Sequence, residues 1–488
     1  MSFFVHTDAE RAAMLAAIGA ESIEALFADV PAQHRFPTLD LPPRLSEMEA
    51  ANLLQECAEA NDDLQHAACF LGAGAYFHYI PSVVDFVISR TEFYSSYTPY
   101  QPEIAQGNLQ ALHEYQTMIA GLSGMEVSNA SHYDGATSTA EAVIMARNVA
   151  RNRRNKVVLA PTLHPHYRET VHTYFQGLPV TFHGEELAAF DYVDALEALV
   201  DDETACVVIQ NPDFLGTLQT PARLQQLADT IHAHGALLVV AANPISLGLL
   251  KPPGDYGADI FVGEGQATGN SLSFGGPYLG LFACKLEHVR KSAGRIVGKT
   301  VDVDGNPGYV LTLVAREQFI RRDKASSNIC TNQNLNALAC AAYLGALGKS
   351  GLRQVARTCY DHAHYLANAI DSLPGYEVLN PAPFYHEFVV RSPVPIAELN
   401  GFLLDEFNIV SGFDLGEHYP DLGDHCMLVC ATETVSVEQM DTFVDALRAA
   451  SEIDFDNLFA EEEMDGFLAD MLSGDDEPWD ENGSGTHG

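Results

Sequence analysis

Between residues 126 and 284 the chain alternates short apolar runs with amphipathic segments, and this alternation constrains the fold more than any other feature. Strands are expected at Val157–Ala160, Val180–His183, Cys206–Gln210, Ala236–Ala242, Asp259–Val262 and Tyr278–Cys284. Helices are expected between them, at Ala136–Asn152, His166–Phe175, Val193–Val200 and Pro221–His234. Strands joined by helices of about 10–15 residues predict a mostly parallel sheet covered on both faces, an α/β fold. In such a sheet ligands collect beyond the carboxyl ends of the strands. The stretch that should border this crevice, DYGADIFVGEGQATGNSLSFGGPYLG at 255–280, is glycine-rich. It offers the carboxylate Glu264 but no lysine, cysteine or histidine.

The flanking regions read differently. Residues 1–60 suggest short amphipathic helices, with Thr7 and Asp8 as N-caps and Gly19 as a stop, and Arg35–Arg44 (RFPTLDLPPR) as an extended arm. In CFLGAGAYFHYIP, the loop Gly72–Tyr76 has side chains small enough for close backbone approach. Tyr94, Tyr97, Tyr100 and Gln101 then crowd an irregular stretch with two prolines, which reads as a binding surface or as the packing of a long connection. Beyond Arg290, GRIVGKTVDVDG predicts a hairpin turning on Asp304-Gly305. The expected domains are an N-terminal helical segment and arm (1–68), a large α/β domain (69–335), a small C-terminal α+β domain (336–450) and an acidic, disordered tail (451–488).

Charge narrows the function classes. The 488 residues carry 66 acidic and 26 basic side chains, a formal net charge of −40. The last 38 residues hold 13 of the acids and no Lys or Arg, so the excess extends well beyond the tail. Only seven lysines occur: Lys156, Lys251, Lys285, Lys291, Lys299, Lys324 and Lys349. A surface that exchanges lysine for carboxylate suits concentrated salt, which screens its self-repulsion, so a halophilic source is expected. Nucleic-acid binding is disfavoured because no basic stripe exists to meet phosphates. No apolar run is long enough to span a membrane, and MSFFVHTDAER lacks the pattern of a signal peptide, so a cytoplasmic location is expected. The nine cysteines are scattered, without a CxxC pair, as for buried reduced thiols.

Several short patterns carry chemistry. NASHYDGATSTAE (Asn129–Glu141) is a loop opening a helix, where Gly135, Ala136, Thr137 and Ser138 supply small side chains, hydroxyls and free N–H groups at a positive dipole end. This is a candidate phosphate site, although many capped helices look alike. His164 and His166 follow a strand end, and His232 and His234 sit at a helix C-terminus; together they make no metal set, and none is expected. Arg316, Arg321 and Arg322 offer either a carboxylate anchor or structural ion pairs. Gly348-Lys349-Ser350 imitates the end of a nucleotide-binding loop but lacks its first glycine.

FLGAGAYFHYIP, YTPYQPEIAQG, NASHYDGATSTAEA, GEGQATG…SFGGPYLG, GRIVGKTVDVDG and AREQFIRRDKASSNICTNQ together resemble subunit 1 of glycine dehydrogenase (decarboxylating), the P-protein of the glycine cleavage system in its two-subunit form. The resemblance spans about residues 1–450. It implies pyridoxal-phosphate-dependent transferase fold type I, aspartate aminotransferase-like, with a large domain and a small C-terminal domain. The implied reaction decarboxylates glycine and passes the aminomethyl group to the lipoyl arm of H-protein. The implied assembly is an α2β2 hetero-oligomer with subunit 2.

Enzymes of this fold hold the cofactor aldehyde on a lysine between the strands placed at 259–262 and 278–284, where this chain has Gln266 or Ala267. The ring nitrogen also needs a carboxylate, where LLVVAANP supplies Ala241, Ala242 and Asn243. Two requirements fail together, so a degenerate copy is expected that holds no pyridoxal phosphate itself and relies on subunit 2 for the lysine. Tyr97, Thr98, Tyr100, Gln101 and Glu103 are then candidate trans-acting or pocket-lining residues. Ser131, Gly135, Ala136, Thr137 and His164 are degenerate cofactor-site candidates. A self-sufficient decarboxylase using one of the seven lysines and a non-catalytic scaffold are the alternatives.

Overall fold

The computed structural model describes residues 6–455, apart from 62, 65, 326, 382 and 454. The expected acidic tail therefore lies, beyond Phe455, outside the described residues. At the centre is a seven-stranded sheet. In spatial order its strands are Val127–Ser128, Gly280–Cys284, Ile260–Glu264, Leu237–Ala241, Thr204–Gln210, Lys156–Leu159 and Thr181–His183. Only Gly280–Cys284 runs antiparallel to its neighbours. The expected mostly parallel α/β sheet is what forms.

Alternation along the strands explains why the sheet is buried on both sides. Val158, Val207, Leu238, Val240 and Phe261 pack toward the helices Gln106–Ser123, Val193–Ala198 and Pro221–Ala233. Val157, Leu159, Cys206, Val208, Val239, Ile260 and Val262 face the helices Gly135–Val149 and Pro165–Tyr174. Strands apolar on both faces are what parallel βαβ crossovers require. Antiparallel strands Ile296–Val301 and Pro307–Thr312 form the expected hairpin, and Asp302 Oδ1 accepts from the N–H groups of Asp304 and Asn306 at its turn.

A four-stranded antiparallel sheet, in the order Glu377–Val378, Glu387–Arg391, Cys426–Cys430, Phe413–Asp414, packs with the helices Ile396–Phe407 and Val437–Ala450. The helical stretch Asn334–Asp371 spans both sheets' surroundings and breaks at Gly348, whose φ is +58°. The described residues divide into two compact units, one ending at Asp63 and the other starting at Leu64. In the second unit Ala68–Cys69 pairs in parallel with Ile409–Val410, and Phe70 N–H donates to Val410 O. In the first unit Thr7 caps Asp8–Ile18 in a capping box with Glu10, and Ser46 does the same for Glu47–Glu59 with Glu49. The chain between them, which includes Arg35–Arg44, holds only the short 3-10 turns Glu24–Phe27 and Ala32–His34.

One glycine ties the two sheets together. Gly216 (φ +83°) lies in the turn after Thr204–Gln210, and a Cβ there would overlap the carbonyl of Glu387. Tyr385 N–H donates to Gly216 O, and Leu218 N–H donates to Pro383 O. The substitution Gly216→Ala combines left-handed strain with a backbone clash and is expected to destabilise the fold by about 2–4 kcal/mol. Denaturant unfolding at high salt, compared with Gly177→Ala at an open glycine of similar φ, isolates the clash.

Candidate functional site

The carboxyl ends of Thr204–Gln210, Leu237–Ala241 and Ile260–Glu264 and the N-terminus of Gly135–Val149 enclose a crevice where the sheet fold places a ligand. The first free N–H of that helix, on Gly135, donates to Glu264 Oε2 at 2.9 Å. Glu264 Oε1 accepts from the N–H groups of Gln266 (3.0 Å) and Leu279 (2.9 Å). Asp134 Oδ1 takes the Thr137 N–H at 2.7 Å and the Thr137 hydroxyl at 2.8 Å. The chain's own carboxylates therefore occupy the donors that a phosphate would use. A Cβ on Gly135 would overlap the Tyr167 hydroxyl, so this tyrosine also sits against the helix start.

The rest of the crevice is closed from above. Gly72, Ala73 and Gly74 lay bare backbone against it: the Ala73 N–H donates to Glu387 Oε1 at 2.7 Å, and the Tyr76 hydroxyl donates to Glu387 Oε2 at 2.8 Å. Gln266, at the expected lysine position, is 2% exposed. Its Oε1 accepts from Tyr76 N–H, and its Nε2 donates to Tyr76 O and Asn270 O. His164 stacks on Tyr167 with ring centroids 4.7 Å apart. Its Nδ1 accepts from His166 N–H, so Nε2 carries the hydrogen and donates to Ala73 O at 3.0 Å. Burial, followed by the charge of His166, lowers its pKa to about 3, leaving the ring neutral. Asn243 turns its Oδ1 to the Ile245 N–H and its Nδ2 to His386.

The space left, lined by Gly74, Tyr76, His164, Tyr167, Gln210 and Glu264 among others, is about 30 Å³. Small-molecule sites run to about 300 Å³ or more. No lysine lines it. Lys156 and Lys285 are committed to Asp201 and Asp259. Pyridoxal phosphate does not fit: the anion seat is taken, the lysine position is an engaged glutamine, and the ring-nitrogen position is an engaged amide.

The tyrosine-rich stretch lies elsewhere, organised by Arg295, which is 2% exposed. Its Nη1 donates to Thr331 Oγ1 at 2.7 Å, and its Nη2 donates to Cys330 O and, at 3.2 Å, to the Tyr100 hydroxyl. The guanidinium also lies over the Tyr100 ring, 5.4 Å from its centroid. Thr98 meets Thr331 at 3.4 Å, and Ser131 Oγ accepts from Gln333 N–H, so Thr98 and Ser131 meet the strip 330–333 directly and Tyr100 reaches it through Arg295. Tyr97, Gln101 and Glu103 are exposed. Ala136 lies in the first turn of the helix that Asp134 caps. Arg316 binds the carbonyls of Ser292 and Gly294, a structural role, whereas Arg321 and Arg322 are exposed.

Residues 1–447 match the family model described as glycine cleavage system P-protein. The "probable glycine dehydrogenase (decarboxylating) subunit 1" of Thermomicrobium roseum is 50% identical over 454 residues, covering 92% of this chain and 100% of the relative. The crystal structure of glycine decarboxylase (P-protein) of the glycine cleavage system, in inhibitor-bound form, superposes with a TM-score of 0.82 at 41% identity. It covers 92% of this chain and all of that one. The chain belongs to the glycine cleavage system P-protein family. A glutamate decarboxylase from Lactobacillus brevis (TM-score 0.63, 14% identity, 87% of this chain and 97% of that one) shows the same fold at greater distance, that of fold type I.

Within this P-protein chain, Tyr76, Tyr167, Arg295 and Glu387 are site residues that sequence reasoning missed. Tyr76 and Glu387 are 311 positions apart and meet only through folding. Arg295 stands next to Gly294, whose φ of +79° lets the backbone pass Asn129 and His132 closely; that glycine was the available signal.

Burial pushes the Glu387 carboxyl up to about 7, against the Ala73 N–H and Tyr76 hydroxyl that pull it down. A raised acid binds its proton more tightly when folded, so it contributes least above its folded pKa. Relative to Glu387→Gln, the wild-type protein is expected to lose on the order of 2 kcal/mol as pH rises from 4.5 to 7. Paired thermal melts across that range at constant high salt read the difference.

Proposed function

We propose that this chain is the subunit of a glycine dehydrogenase (aminomethyl-transferring, decarboxylating) that completes an active site rather than housing one. The reading rests above all on Glu264, whose carboxylate takes the Gly135 N–H at the anion seat of a crevice reduced to about 30 Å³. Subunit 2 supplies the lysine and the pyridoxal phosphate, which provides the electron sink for loss of CO2 from glycine. The aminomethyl group then passes to the lipoyl arm of H-protein, and the assembly is α2β2. The cytoplasm of a halophilic cell is the setting that the charge favours.

Exposed apolar groups support pairing. Tyr94 (71% exposed), Tyr97 (74%) and Ile104 (79%) stand open, along with Phe319 and Ile320. Phe274 is fully exposed and holds a left-handed φ of +52° in the loop that replaces the lysine loop. A bulky residue in that conformation with nothing packed on it fits a surface that a partner covers. Tyr97, Thr98, Tyr100, Gln101 and Glu103 are the residues proposed to reach the partner's pocket, with Arg295 fixing Tyr100 from behind. The degenerate candidates Ser131, Gly135, Ala136, Thr137 and His164 keep structural duties. Leu39 and Leu41, also exposed, give the N-terminal arm an apolar edge for the partner subunit.

Absorbance spectra and glycine–bicarbonate exchange with H-protein test the reading. The chain alone, with added pyridoxal phosphate at high salt, is expected to show neither a visible cofactor band nor exchange; mixing with subunit 2 restores both. A band and exchange in the chain alone would establish a self-sufficient enzyme. In the assembled enzyme Tyr97→Ala is expected to lower exchange at least about tenfold with assembly intact; unchanged turnover would make the chain a scaffold. At a net charge of −40, assembly should strengthen between about 0.1 and 1 M salt, where the screening length falls from about 10 to 3 Å. Sedimentation velocity measures it.

A further inference from the structure

Away from the crevice, three side chains from distant parts of the chain converge. His78 lies in the loop before the helix Ser82–Ile88, Cys359 in the helical stretch Asn334–Asp371, and Glu433 just after the strand Cys426–Cys430. Their ligand atoms all lie within 4.8 Å of one another. His78 Nδ1 meets Glu433 Oε2 at 2.7 Å, and the Cys359 thiol donates to the same oxygen at 3.3 Å. Tyr79 N–H donates to Glu433 Oε1, which fixes the carboxylate plane. The side chains of His78 and Glu433 are 2% and 14% exposed, and Cys359 is buried.

Two features set this cluster apart from an ordinary buried ion pair. One oxygen serves two donors, and two polar atoms at the cluster have no protein partner: His78 Nε2 and the Tyr343 hydroxyl. The cluster also opens on one side to a cavity of about 660 Å³ lined by His78, Tyr79, Tyr343 and Glu433. Nitrogen, thiolate and carboxylate donors with one open position suit a borderline-soft divalent ion. Tetrahedral zinc at ordinary bond lengths separates its ligand atoms by about 3.3–3.6 Å. The sulfur–oxygen distance of 3.3 Å already falls in this range, the nitrogen–oxygen distance of 2.7 Å needs to open by about 0.6–0.9 Å, and the nitrogen–sulfur separation starts within 4.8 Å.

We propose that His78 Nδ1, Cys359 Sγ and Glu433 Oε2 form a binding site for a divalent ion of the zinc class, with a water from the adjoining cavity as fourth ligand. On binding, the thiol proton leaves to solvent, the neutral imidazole moves its hydrogen to Nε2, and the carboxylate binds as it stands. No electron is transferred. The bound ion would clamp the loop that carries Gly72–Tyr76 to the long helical stretch and to the end of the C-terminal sheet.

Cobalt is the probe. Full-length chain stripped with chelator and titrated with Co2+ at high salt is expected to saturate at one ion per chain, with a near-ultraviolet thiolate-to-cobalt band that zinc displaces. Cys359→Ser should abolish the band, and His78→Gln and Glu433→Gln should weaken binding at least about tenfold. Variants at the exposed thiols, Cys57→Ser and Cys330→Ser, should leave it unchanged. X-ray absorption of the wild-type complex, which needs no variant to fold, should show one sulfur with nitrogen and oxygen neighbours. Absence of a saturable band, or a band that survives Cys359→Ser, would overturn the site.

Discussion

The hydrogen bond from the Gly135 N–H to the Glu264 carboxylate decides what the large sheet can do. The helix end presents unsatisfied N–H groups and partial positive charge beside the carboxyl ends of three parallel strands. A hydrogen-bond acceptor must sit there if the crevice is to be dry. Here the acceptor comes from the strand Ile260–Glu264 itself, the Glu264 carboxyl, held by two more N–H groups from Gln266 and Leu279. Burial pushes this carboxyl up to about 8, and the N–H groups of Leu279 and Gly135 counter it in part. The same local geometry that welcomes a ligand in related folds therefore consumes its own binding capacity.

Closing the crevice couples distant parts of the chain. Bare backbone at Gly72–Gly74 reaches His164 on one side and Glu387 on the other, and any Cβ at these glycines would collide with them. Glu387 belongs to the C-terminal sheet, so the plug also ties that sheet to the large one. Buried carboxyls at Glu264 and Glu387 and neutral imidazoles at His164 and His386 form a polar interior that is well hydrogen-bonded, though not fully. Such an interior favours one arrangement over others more than it adds stability.

Local pattern made much of this legible. The strands and helices from 156 to 284 follow apolar periodicity and sit close to where that pattern puts them, because both faces of a parallel sheet demand apolar residues. Lysine's absence from 255–280 is equally plain in the sequence, and so is Glu264. What fills the vacancy is not, since Gln266 meets Tyr76 across 190 positions and Tyr76 meets Glu387 across 311. Spacing rules see neighbours a few residues apart, which is why the His78, Cys359 and Glu433 cluster escaped them. Ser131–Thr137 looked like a phosphate loop because a capped helix and an anion site share one pattern; the cap Asp134 and the distant Glu264 separate them. Arg295 opens a hairpin motif, and its partners Cys330 and Thr331 lie 35 and 36 positions away, beyond the reach of local spacing.

The carboxylate at the helix start differs from a diffusible anion in one respect. A free ligand fills its seat according to supply, and the fold it supports weakens as that supply falls. A carboxylate delivered by the adjoining strand arrives at an effective concentration set by the chain, independent of dilution or metabolic state. The helix start of the large sheet is thereby satisfied from within the chain, whatever small molecules surround it.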